Sequence, residues 1–118
     1  MARFTQRYTP LNPYKIMWII VLFDLPTNTK TERKAASKFR QCLLKDGFHM
    51  MQYSVYARHC PNKSTATVHA GRVKKNLPRE GHVQILRITD RQYANMANLY
   101  GRIAKKPKHS AIQQLELF

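Results

Sequence analysis

Residues 16–23 (IMWIIVLF) are apolar without interruption, and Asp24, Leu25 and Pro26 follow them. A run so short and so rich in β-branched side chains packs as a buried strand with both faces in need of cover, and Pro26 closes it. Its eight residues fall well short of the roughly 20 that a membrane-spanning helix requires. Pro10 and Pro13 precede it and no small-residue cleavage site follows, so it does not read as a signal peptide. Nothing directs the chain out of the cytoplasm.

The pattern on either side of this strand alternates. Thr29 and Glu32 stand at the spacing of a capping box, in which a hydroxyl and a carboxylate satisfy free backbone N–H groups at a helix start. A helix over about Lys30–Lys45 puts Ala35, Ala36, Phe39, Cys42 and Leu43 on one side and Lys30, Lys34, Lys38, Gln41 and Lys45 opposite, and Gly47 ends it with a left-handed residue. Phe48–Arg58 reads as a strand, which a bend within 50–60 would divide into two. Asn62, Lys63 and Ser64 open a second helix to about Leu77, with Ala66, Ala70, Val73 and Leu77 in one stripe; Pro78 and Gly81 stop it. His82–Thr89 is a further strand, Thr89, Asp90 and Arg91 read as the cap of a third helix running from about Arg91 to Leu99, and QLELF at the end of the chain alternates like a short strand.

This order is the split βαβ plan: an α+β, ferredoxin-like βαββαβ fold with an additional C-terminal strand. Residues 1–14 form a flexible basic arm, 15–100 the ferredoxin-like domain, and 101–118 a basic linker and C-terminal docking strand. If both helices cover one sheet face, the apolar first strand leaves its other face bare, and a second copy related by a two-fold axis is the simplest cover. The expected assembly is therefore a symmetric homodimer with two copies of Asp24 near its axis. The terminal strand would add to a sheet edge, on its own subunit or on a partner.

Charge indicates the kind of partner. Against 6 acidic residues stand 21 Lys and Arg, for a net charge of +15, which calls for a polyanion, nucleic acid first. Acidic membrane is the weaker candidate, because neither an amphipathic helix with large apolar residues opposite its lysines nor a lipidation motif is present. The candidate nucleic-acid contacts are Lys30, Arg33, Lys34, Lys38 and Lys45 on the first helix, Arg72, Lys74, Lys75 and Arg79 on and after the second, and Arg102, Lys105, Lys106 and Lys108 in the tail. Such contacts grip the DNA or RNA phosphate backbone and read little base sequence. Cys42 and Cys60 have neither CxxC nor paired-histidine spacing and read as structural thiols; His59 beside Cys60 lacks further ligands for a metal.

Asp24 admits two readings. It is a turn or cap residue after a strand, or it binds a hard divalent cation such as magnesium, which often takes one or two carboxylates besides phosphate. Two symmetry-related copies would meet that need, and the ion would then polarise a phosphodiester.

The strand IIVLFDLP, the helix TERKAASKFRQCLLKDGF, the strand MQYSVYAR, the segment GRVKKNLPREG and ILRITDRQYANM together resemble, over about residues 16–100, the Cas2 family of the CRISPR adaptation module, in the flavour that accompanies single-effector systems. The resemblance implies a ferredoxin-like dimer whose strand-end aspartates, here Asp24, face one another and hold Mg2+ or Mn2+. It also implies a metal-dependent endonuclease on RNA or DNA in some members and, in others, a scaffold that bridges dimers of the Cas1 integrase during spacer acquisition. Gln114, Leu115, Leu117 and Phe118 match the family's docking strand at that interface. The arm before Tyr14 is longer than the minimal family pattern, and no second acid closely follows Asp24.

Two readings of function follow, of which the second, a DNA-binding adaptation subunit, ranks first. In one, Asp24 is catalytic and metal-binding, with Ser54 orienting phosphate. In the other, binding alone matters and the chain is an adaptation scaffold. A stand-alone, toxin-like metal-dependent ribonuclease of the same fold is the alternative, and an RRM-type module is disfavoured because FHMMQYSVYAR lacks the RNP1 pattern.

Overall fold

A computed structural model describes residues 16–102. The elements are β1 (Met17–Asp24), α1 (Lys30–Lys45), β2 (His49–Gln52), β3 (Val55–Cys60), α2 (Lys63–Lys75), β4 (His82–Thr89) and α3 (Asp90–Ala94). The strands form one antiparallel sheet in the order β2-β3-β1-β4, with β1 paired to β3 and β4. This is the expected α+β, ferredoxin-like architecture, and the bend that divides the second strand falls at Tyr53 and Ser54.

Side chains alternate across the central strand. Met17, Ile19, Val21 and Phe23 enter the core, where they join Phe39 and Leu43 of α1, Ala66 and Val73 of α2, and Tyr56 and Cys60 of β3. Trp18, Ile20, Leu22 and Asp24 point to the other face. The run is apolar throughout because the helices use one side and the sheet still has another to fill.

Helix α1 begins at the Thr29 cap with both arms of the capping box formed, and Gly47 at φ 90° follows its end. Helix α2 stops two residues earlier than its stripe implied: Asn76 is the C-cap, Pro78 cannot extend the ladder, and Leu77 is 49 % exposed. Helix α3 has only five residues. The segment expected to carry it to Leu99 contains Asn95 and Asn98, poor helix formers, and Leu99 is 89 % exposed. The basic arm and the docking residues Gln114, Leu115, Leu117 and Phe118 lie outside the described residues.

The two cysteines are free, Cys60 buried and Cys42 half-buried. Burial raises the Cys60 thiol above its ordinary value, as suits a structural residue. Cys60 lies opposite Met17 and His59 opposite Trp18, so the two point to opposite faces of the sheet and cannot share an ion.

Candidate functional site

Asp24 is the last residue of β1 and is exposed. It caps no helix, since Thr29 is the N-cap of α1, so the cap reading of this acid is corrected. Antiparallel register sets it opposite His82 at the start of β4. On the other side, the Phe23 N–H donates to the carbonyl of Ser54 at 3.1 Å, which holds the β2–β3 turn beside the end of β1. Ser54 sits at φ 68°, an uncommon conformation for a residue with a Cβ. Among the described residues, neither the Asp24 carboxylate nor the His82 ring has a hydrogen-bond or ion-pair partner.

The surroundings of Asp24 follow from register. Sharing its face are Trp18, Ile20 and Leu22 of β1, Val55, Ala57 and His59 of β3, and His82, Gln84, Leu86 and Ile88 of β4. No lysine or arginine occurs among these strand residues. The strand arginines Arg58 and Arg87 both pair with Ile19 and therefore point to the helix side. There Arg58 Nε donates to the Asp46 carbonyl at 2.7 Å, and Arg87 Nη1 donates to Thr67 Oγ1 at 3.1 Å. At the far end of the face from Asp24, α3 provides cover: Tyr93 stacks on Trp18 with centroids 3.7 Å apart, and Trp18 Nε1 donates to Asp90 Oδ1 at 2.7 Å. Near Asp24 the face is open, with His82 and Gln84 exposed, and further along it Leu86, opposite Ile20, is 50 % exposed.

Lys30, Arg33, Lys34, Lys38, Lys45, Arg72, Lys74, Lys75 and Arg79 are not buried. They belong to the helix layer and its loops, so the structure does not gather them around Asp24. Those nearest along the chain are Lys30 and Arg33, at the start of α1, and Arg79, just before β4. Arg33 Nη1 donates to the Thr27 and Asn28 carbonyls at 3.1 and 3.4 Å, bracing the loop after Asp24. A groove of about 290 Å³, lined by Leu25, Pro26, Thr29, Glu32 and Arg79 among others, adjoins this loop.

Sequence reasoning overlooked a second cluster. Asp46, directly after α1, accepts from Arg72 Nη1 at 2.8 Å and lies 2.7 Å from His69 Nδ1. Arg72, expected from sequence to bind phosphate, is thus held by a carboxylate. Partial burial pushes the Asp46 carboxyl up, but the hydrogen bonds from His69 and Arg72 outweigh it and leave the pKa below its ordinary value. The available signal was His69 itself, which falls in the Ala66, Ala70, Val73 stripe, where a buried imidazole needs a partner. Also overlooked was Arg40, whose Nη2 donates to Tyr53 OH at 2.9 Å and whose guanidinium lies 5.9 Å from the Phe23 ring centroid.

Among the described residues, no three His, Cys, Asp or Glu side chains are grouped to hold a metal ion. The donor set at Asp24 is one exposed carboxylate with both oxygens available. That suits a hard divalent cation which keeps waters and shares its shell with phosphate, more so if a second copy doubles the carboxylate. No helix among the described residues is long and apolar enough to cross a membrane.

The family described as CRISPR associated protein Cas2 matches residues 17–96. A protein of Flavobacterium psychrophilum is 47 % identical over 117 residues, covering 98 % of this chain and 99 % of its own length. One of Parvibaculum lavamentivorans is 46 % identical over 86 % of this chain and 100 % of its own, and one of Paracidovorax avenae is 43 % identical over 92 % and 99 %. All three carry the name CRISPR-associated endoribonuclease Cas2. The order of elements, the acid that ends the central strand and this near end-to-end similarity agree, and the chain belongs to the Cas2 family of CRISPR-associated proteins.

Proposed function

We propose that this chain is a metal-dependent endoribonuclease that works as a symmetric homodimer, with Asp24 of each copy as its reacting carboxylate. The observation that carries the reading is Asp24 itself: exposed, its carboxylate without a partner among the described residues and outside any cap, at the end of the central strand, in a chain whose relatives are named endoribonucleases. Pairing of two copies over the face bearing Leu22 and the half-exposed Leu86 would bury apolar area and bring the two aspartates toward one axis. Asp24 would hold Mg2+ or Mn2+, which when bound polarises the phosphodiester and lowers the pKa of a coordinated water. The carboxylate would hold the ion and orient water at the site, and the loop braced by Arg33 keeps the end of β1 in place.

The cationic helix layer favours a second role for the same chain. Its lysines and arginines lie away from Asp24, as expected of a surface that lies along a nucleic-acid backbone without cutting it. In that role the dimer binds the DNA to be inserted during spacer acquisition and bridges dimers of the Cas1 integrase, with residues 114–118 as the docking strand.

The direct test is to incubate the purified chain with labelled single-stranded RNA in Mg2+, in Mn2+ and in EDTA. Cleavage that needs the ion supports the endoribonuclease reading. RNA left intact in both ions, with tight DNA binding, would leave the scaffold role alone.

A further inference from the structure

An ion held by Asp24 would offset the repulsion between its carboxylate and a phosphodiester, but the phosphate oxygens that the ion does not engage still call for hydrogen-bond donors from the chain. Lysine and arginine are missing from the described strand residues of this face, and the strand arginines are turned toward the helices. The side-chain donors on its β4 edge are His82 and Gln84. His82 is directly opposite Asp24, and in antiparallel pairs such residues have Cβ atoms roughly 4.5–5.5 Å apart, whereas Gln84 is opposite Leu22.

The backbone is built to keep His82 there. Gly81, at φ 113°, lies so close to the end of β1 that a Cβ on it would come within 2.6 Å of Leu25 Cδ2 and 3.0 Å of the Asp24 carbonyl oxygen. Only glycine lets β4 begin at this point, and His82 is the next residue. Its ring is exposed and has no partner among the described residues.

We infer that His82 is a substrate-contacting residue of the Asp24 site, its ring N–H donating a hydrogen bond to a non-bridging oxygen of the phosphodiester held against Asp24. The proposal rests on the endoribonuclease reading for its substrate. Neutral imidazole carries one N–H in either tautomer, so the contact requires no change of protonation. It supplies the donor directly opposite the carboxylate, Gln84 being opposite Leu22 instead, and it sets the phosphate on the β4 side of the carboxylate.

Two measurements test it. In the first, ring 1H–15N signals of the histidines are followed while the wild-type protein is titrated with a short single-stranded RNA in Ca2+, a hard oxygen-binding ion used in place of Mg2+. The His82 signals should shift while those of His59, near Trp18 at the other end of the strand, stay in place. In the second, kcat/KM for RNA cleavage is compared for His82→Ala, His82→Asn and His82→Gln. The alanine variant should lose about tenfold or more, the scale of a hydrogen bond to a charged group, and at least one amide variant, which keeps an N–H donor, should recover most of it. An unmoved His82 signal with RNA bound, an unchanged kcat/KM in His82→Ala, or failure of both amides would overturn the role. If the wild-type protein cleaves no RNA, the endoribonuclease reading falls, and the titration alone decides whether His82 contacts phosphate.

Discussion

The His69 imidazole reaches across from α2 to the Asp46 carboxylate at 2.7 Å, tying the end of α1 to the middle of α2 on the side of the sheet away from Asp24. Arg72 completes the clamp at 2.8 Å. Replacing Asp46 by Asn removes the charge and leaves His69, 6 % exposed, with a weaker partner, so Asp46→Asn should cost about 1–3 kcal/mol of stability. The pH dependence has a definite sign. The carboxyl is held below its ordinary value in the folded protein, so its contribution is fully present above the ordinary carboxylate range and is lost as pH falls through the folded value. Thermal unfolding from pH 7 downward should show the gap between wild type and Asp46→Asn closing only in acid.

The stack of Tyr93 on Trp18, centroids 3.7 Å apart, predicts an optical signature, because Trp18 is the only tryptophan in the chain. Tyr93→Ala should uncover the indole and red-shift its fluorescence. The cost should include roughly 0.5–1.5 kcal/mol for the aromatic pair, beyond the area it buries. An unshifted spectrum would mean that α3 does not cover this end of the sheet.

Gly81→Ala tests the close approach of β4 to β1. With φ 113° and a Cβ placed 2.6 Å from Leu25, the substitution should cost about 1–3 kcal/mol from backbone strain alone. It should also displace the start of β4, lowering activity even at temperatures where the protein remains folded. Denaturant unfolding alongside a cleavage assay separates the two effects.

For the cationic layer, Lys34→Glu with Lys38→Glu on the exposed side of α1 should weaken binding of single-stranded nucleic acid. The salt slope should flatten by about 0.7 for each phosphate that the variant no longer neutralises. Cleavage of RNA at saturating protein should change far less, because these residues stand away from Asp24.

What can be read from the sequence is what is local. The capping box of Thr29 and Glu32 spans three positions, and Gly47 marks its own conformation. The uninterrupted apolar run of residues 16–23 declares that its strand is central. Register and tertiary pairing are another matter. Asp24 meets His82 only because β4 folds back beside β1, and Asp46 meets His69 across two elements separated by a hairpin; neither pair has a spacing signature. The same gap explains Arg72, which is indistinguishable from its cationic neighbours until the fold brings Asp46 to it. Periodicity alone puts Leu77 in the stripe of α2, where Asn76 and Pro78 have the stronger claim.

On the proposed endoribonuclease reading, everything turns on the carboxylate of Asp24. That role is tested most directly by the rate of ion-dependent cleavage of single-stranded RNA by Asp24→Asn, beside wild type, with both proteins shown to be folded and in the same oligomeric state. Cleavage by the variant should fall to background while its affinity for nucleic acid is kept. Cleavage by Asp24→Asn at the wild-type rate would contradict that reading.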